Sequence, residues 1–148
     1  MSAADAANEK AGAEARSLRR KLEAFHGKQD SKAVDVAWPH LDSPDRWLRY
    51  AARIAIESQP VEQWQGRALD ESRLNASLTA LLALARRGDS SLQPDLLQAL
   101  SRLSIDQMSE AQMLEGLRVL SVAFIRMGRP TPDVTDEVLA DELISKFN

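Results

Sequence analysis

The chain contains no cysteine, which removes disulfides, thiolate nucleophiles, Cys-ligated zinc and c-type haem attachment on this segment. Histidine is almost as scarce: His26 and His40 are the only two. Neither has the helix-face spacing of a metal pair with a nearby carboxylate, so structural or surface roles are expected for both. The few glycines fall mostly at the ends of periodic segments. No Gly-rich loop is present to cradle a phosphate, and no nucleophile-elbow motif accompanies the serines. Aromatics make up 5% of the residues, which disfavours a β-sandwich. The longest apolar run, Leu78 to Ala85, is far too short to span a bilayer, so no membrane partner is expected. The residues before Gly12 lack the apolar central stretch of a secretory signal. The formal net charge of −3 is the wrong sign for a dedicated nucleic-acid binder.

What is present is leucine and alanine at helical spacing. The stretch Leu41-Asp42-Ser43-Pro44-Asp45-Arg46-Trp47-Leu48-Arg49-Tyr50-Ala51-Ala52-Arg53-Ile54-Ala55-Ile56 reads as a tight turn followed by an amphipathic helix. Pro44 suits the first helical position, with Ser43 or Asp42 as cap and Asp45 at the positive helix end. Trp47, Ala51, Ala55, Leu48, Ala52 and Ile56 fall on one wide apolar arc, with Arg46, Arg49, Arg53 and Glu57 opposite. An arc this wide wants two neighbours.

Other helices are expected on the same grounds. One runs from Ala13 to Gly27 and carries Leu18, Leu22 and Phe25; another runs from Ser31 to Leu41. A third restarts at Pro60 with Val61, Trp64 and Leu69, and a fourth spans Glu71 to Arg87. Pro94 opens a further helix, as does the capping box Ser109-Glu110-Ala111-Gln112. The last amphipathic stripe is Val134, Val138, Leu139, Leu143 and Phe147. Residues 1–12 read as a disordered tail and 13–148 as a single domain. Arg16, Arg19, Arg20 and Lys21 on the first helix read as a solvated face rather than a phosphate patch. Trp38, Trp47 and Trp64 offer an aromatic pocket as one reading and ordinary core as the other, which helical spacing favours.

The Pro44-Asp45 turn, the Leu48-Arg49 pair and the ending Ala51-Ala52-Arg53-Ile54-Ala55-Ile56 resemble a HEAT-type repeat of the short bacterial kind. The close match covers about a sixth of the chain. The resemblance implies an all-α, α–α superhelix of about seven to eight helices, in which Arg49 pairs with Asp42 or Asp45 to lock successive repeats. Leu117-Arg118 echoes Leu48-Arg49, and Leu78 takes the same place between them with Thr79 where the Arg would be. These positions lie 30 and 39 residues apart, bracketing the period of such arrays. The wider stretch from Leu22 through Trp64 is similar to a helical segment of large multidomain bacterial proteins, often exported, that join HEAT-like repeats to c-type haem or dehydrogenase-like domains.

The expected function is a non-catalytic scaffold, a segment of a larger protein, that binds another protein or a neighbouring domain and needs no cofactor. Arg46, Arg49, Arg53 and Arg118 are its candidate binding residues, presented along one surface. The alternative is a DNA-binding enzyme of the alkylpurine DNA glycosylase type, with Trp38, Trp47, Arg46 and Asp45 imitating its aromatic, basic and acidic set. The basic residues gather in the first part of the chain: residues 1–88 hold 14 Lys or Arg against 12 Asp or Glu, and residues 89–148 hold 5 against 10. That acidic second part counts against the alternative. The compartment stays open, with export implied only by the multidomain resemblance.

Overall fold

The computed structural model describes residues 2–128 and 134–147. It is all-α, with no strand among the described residues. Eight α-helices are described: α1 (Ala3–Glu23), α2 (Ala33–Ala37), α3 (Arg46–Glu57), α4 (Gln65–Asp70), α5 (Leu74–Arg87), α6 (Gln93–Ser101), α7 (Glu110–Met127) and α8 (Val134–Phe147). Single 3₁₀ turns join several of them. The four longer odd-numbered helices stack side by side in chain order, α1 on α3, α3 on α5 and α5 on α7. The second layer runs α4 on α6 and α6 on α8, and α2 packs beneath α3. The architecture is an α–α superhelical stack in two layers.

Small residues let the odd-numbered helices approach closely. Ala51, Ala52 and Ala55 of α3 and Ala76, Ala80 and Ala83 of α5 are all buried, alternating with Leu48, Ile56, Leu78, Leu81 and Leu84. From Ala80 to Ala85 every residue of α5 is buried. A helix buried all round belongs at the centre of a stack, and α5 indeed touches α3, α4, α6 and α7. Trp38 and Trp64 fill the lower layer, and the indole of Trp64 donates to the carbonyl of Gln59 at 3.3 Å.

Buried polar groups are satisfied by bonds that cross between hairpins. Gln59 accepts from the Asp30 amide at 2.8 Å and donates to the Lys28 carbonyl at 2.8 Å, fixing the α1–α2 connection to the end of α3. The ring of His26 bonds the Ala51 carbonyl at 2.9 Å through Nε2, the structural part expected of it. Gln93 reaches the Gly128 carbonyl at 2.6 Å, and Arg126 the Ala85 carbonyl at 3.0 Å. The carbonyls of Lys28, Ala85 and Gly128 lie in a turn or at a helix end, where such a bond supplies a partner the helix does not.

The structure corrects several local expectations. Helix α1 begins at Ala3, ten residues before the expected Ala13, because Ser2 and Asp5 form a capping box. Residues expected as a tail therefore have helical backbone, with their side chains in solvent. Alanine, glutamate and lysine sustain such a turn without a packing partner. Helix α3 begins at Arg46 rather than Pro44: Asp45 is its N-cap, and the Asp45 carboxylate accepts from the Trp47 amide at 2.9 Å. The segment restarted by Pro60 is a 3₁₀ turn at Val61–Gln63 followed by the short α4. Helix α8 starts at Val134 and ends at Phe147; the side chains of Val134, Val138 and Leu139 lie outside the described residues.

Candidate functional site

A groove of about 640 Å³ opens where the first halves of α3, α5 and α7 lie side by side. Arg46, Trp47, Arg49, Tyr50 and Arg53 of α3 form one wall. The floor is α5, through Asn75, Leu78, Thr79 and Leu82, and the N-terminal half of α7 forms the other wall, ending at Arg118. All four arginines singled out from the sequence line this one groove. The groove draws its lining from the N-terminal portions of all three helices, where helices carry partial positive charge.

The arginines are held in different ways. Arg46 lies over the Trp47 ring at 4.8 Å from its centroid, and Arg53 over Tyr50 at 5.2 Å, distances at which a cation is drawn to an aromatic face. Arg49 donates through Nη1 to the Ser43 carbonyl at 2.6 Å, which ties it to the turn ahead of its own helix. That replaces the pairing with Asp42 or Asp45 implied by the repeat resemblance. Asp42 instead pairs with Arg73 at 3.1 Å, and the Asp45 carboxylate is engaged as the helix cap. One bond leaves most of a guanidinium's five donors available.

Arg53 departs furthest from expectation. Placed on the polar side by helix periodicity, it is 5% exposed, and Glu57 beside it is 6% exposed. Helix α3 has neighbours on more sides than its apolar arc alone reveals, so a row read as solvent-facing is covered by α5. Glu57 Oε1 accepts from Arg53 Nη1 at 3.0 Å and from Arg86 Nε, on α5, at 3.0 Å. One carboxylate thus answers two guanidiniums. Burial holds the Arg53 pKa below the usual arginine value; Glu57 opposes that shift, and the positive charges of Arg86 and Arg118 add to it. Among the described residues, Arg46, Arg49 and Arg118 have no carboxylate within 4.0 Å.

Trp47 is the second correction. Expected on the apolar arc, it is 55% exposed, as is Tyr50. The arc does continue downward through the buried Ala51 and Ala55, but Trp47 occupies the first turn, where the helix overhangs the groove. The tryptophans therefore do not form one pocket. Trp38 sits in the core, with its indole nitrogen 3.5 Å from Glu71, and does not line the groove. Of the set Trp38, Trp47, Arg46 and Asp45, only Arg46 and Trp47 line it.

No family model, curated protein or solved structure matches the chain. Tyr50, Asn75, Thr79, Gln112 and Glu115 also line the groove, though the sequence does not mark them as binding residues. Tyr50 was within reach, since it lies four residues after Arg46 and three before Arg53 on the same helical face. Gln112 was legible only as a cap; it also donates to the Asn75 side chain at 2.9 Å, joining the starts of α5 and α7. Among the described residues, no cluster of three His, Asp or Glu side chains is placed to hold a metal ion. No described helix is long and apolar enough to cross a membrane.

Proposed function

We propose that the chain is a HEAT-type helical-repeat module that works by binding rather than catalysis, holding an acidic segment of another protein or of a neighbouring domain in the α3–α5–α7 groove. The observation that carries this reading is the charge of the groove against the charge of the chain. Four arginines and one carboxylate, Glu115, line it, on a chain whose formal net charge is −3. Arginines held over aromatic faces are already ordered, so a ligand does not have to immobilise them on binding. Leu78 and Leu82 on the floor give an apolar strip on which a peptide can set uncharged side chains between its acidic ones. A long polyanion would meet the negative surface of the remaining chain beyond the groove.

The test is a titration with a short Glu- and Leu-containing peptide, read by the emission of Trp47, at low and at physiological salt. Binding should weaken as salt rises and should be lost in the double variant Arg46→Gln/Arg118→Gln. No binding at low salt, or binding indifferent to that double substitution, refutes the reading.

A further inference from the structure

The groove carries more positive charge than the docking of a single carboxylate would answer. Arg53 is buried there beside Glu57, which Arg86 also uses. Arg118 lines the same groove from α7. Arg49 reaches the same space from the upper end of α3. Thr79 lies on the floor of this opening. Positions 49, 79 and 118 hold equivalent places after Leu48, Leu78 and Leu117, and all three line the groove. The side chain at 79 is short, and its hydroxyl is turned back to the Asn75 carbonyl at 2.8 Å. An arginine at 79 would place a longer, charged side chain on the floor between the two walls.

Resting on the proposed docking of an acidic segment, we propose that the groove reads a phosphorylated side chain on that segment: a phosphate monoester seated above Thr79, within reach of Arg49, Arg53 and Arg118. A carboxylate brings one charge and two oxygens. A phosphoserine or phosphothreonine brings close to two charges and three acceptor oxygens. It can engage guanidinium forks from both walls at once, which a single carboxylate cannot do without leaving one wall uncompensated. Trp47 and Tyr50 stand at the rim, where residues flanking the phosphate would rest on their rings.

The experiment compares three nine-residue probes of identical acidic sequence with serine, phosphoserine or glutamate at the centre, together with a single-stranded oligonucleotide. Affinities are measured by fluorescence anisotropy on the full chain. The phosphoserine peptide should bind at least about tenfold more tightly than the serine peptide. Glutamate should recover only part of that gain. Arg118→Gln and Thr79→Arg should each collapse the ratio towards one, whereas Thr79→Val, which keeps the side-chain volume, should preserve it. A circular dichroism spectrum establishes that each variant is folded. Equal affinity for the serine and phosphoserine peptides overturns this inference and leaves the docking of acidic segments standing. Absence of binding by all three peptides at low salt overturns both. Tighter binding of the oligonucleotide than of any peptide overturns both in favour of a nucleic-acid groove.

Discussion

Replacing Glu57 with glutamine tests the charge arrangement beneath the groove. The carboxylate is 6% exposed and accepts from two guanidiniums, each at 3.0 Å. Its removal leaves Arg53 buried with no counter-charge. Breaking a buried pair from one side costs about 3–5 kcal/mol, most of it the desolvation of the charge left behind. The Arg86 side chain is 43% exposed, so water screens its share and the loss should fall at the lower end, about 3 kcal/mol. For a domain of this length that corresponds to a fall in Tm of roughly 6–12 °C. Arg53→Met should behave differently. It removes the buried cation while Glu57 keeps Arg86, and stability should stay within about 1 kcal/mol of the parent. The double variant Glu57→Gln/Arg53→Met should recover most of what Glu57→Gln alone loses, giving a coupling of about 2 kcal/mol in the double-mutant cycle. Urea denaturation followed by circular dichroism measures all four proteins. If Glu57→Gln is no worse than Arg53→Met, or the double variant no better than Glu57→Gln, the buried guanidinium is not the source of the cost and the reasoning fails.

Other outcomes follow from single contacts. Trp47→Phe should remove most of the acrylamide-quenchable tryptophan emission, because Trp38 and Trp64 are buried, while changing stability by less than about 0.5 kcal/mol in denaturant titration. A Cβ added at Gly116 would fall on the ring of Phe147. Gly116→Ala should therefore loosen the α7–α8 contact, an overpacking loss of about 1–3 kcal/mol that outweighs the gain of about 1 kcal/mol from alanine's helix propensity; thermal melts read the net sign. Asp5 has its pKa lowered by hydrogen bonds from Ser2. Because the folded value is the lower one, the capping contribution is present above the ordinary aspartate range and is lost as pH falls through the depressed value. Amide exchange over the first turns of α1 should accelerate on acidification, and Asp5→Asn should flatten that response.

Much of the stack can be read from the chain. The leucine–alanine stripes of α3, α5 and α7 are periodic enough to mark each helix, and the Ser109–Gln112 capping box and Gly128, at φ +80°, delimit α7 closely. The echo between Leu48-Arg49, Leu78-Thr79 and Leu117-Arg118 picks out the three helices that line the groove. What escaped the sequence is what depends on neighbours. Arg53 and Glu57 obey the rule for a solvent-facing row and are buried, because periodicity reports which side of a helix is apolar and not how many helices surround it. Trp47 follows the rule for a core position and is exposed, because it faces the groove while the adjacent Leu48 is buried. The helical character of residues 3–12 was masked by their lack of an apolar stripe, although Ser2 and Asp5 at capping-box spacing were a usable sign. Thr79 interrupts the Leu-Arg pattern of positions 48–49 and 117–118; in three dimensions it is a short side chain on the floor of the groove.

Because the odd-numbered helices stack in sequence, α1 on α3, α3 on α5 and α5 on α7, the first rung stands two steps from α5 and three from α7. Anything lodged over α5 braces α3 to α7 directly and reaches α1 chiefly through α3. Occupancy should therefore slow hydrogen exchange in the central rungs while the outermost one keeps its own rhythm of opening. The molecule would stiffen from its middle outward, like a ladder clamped at a single step.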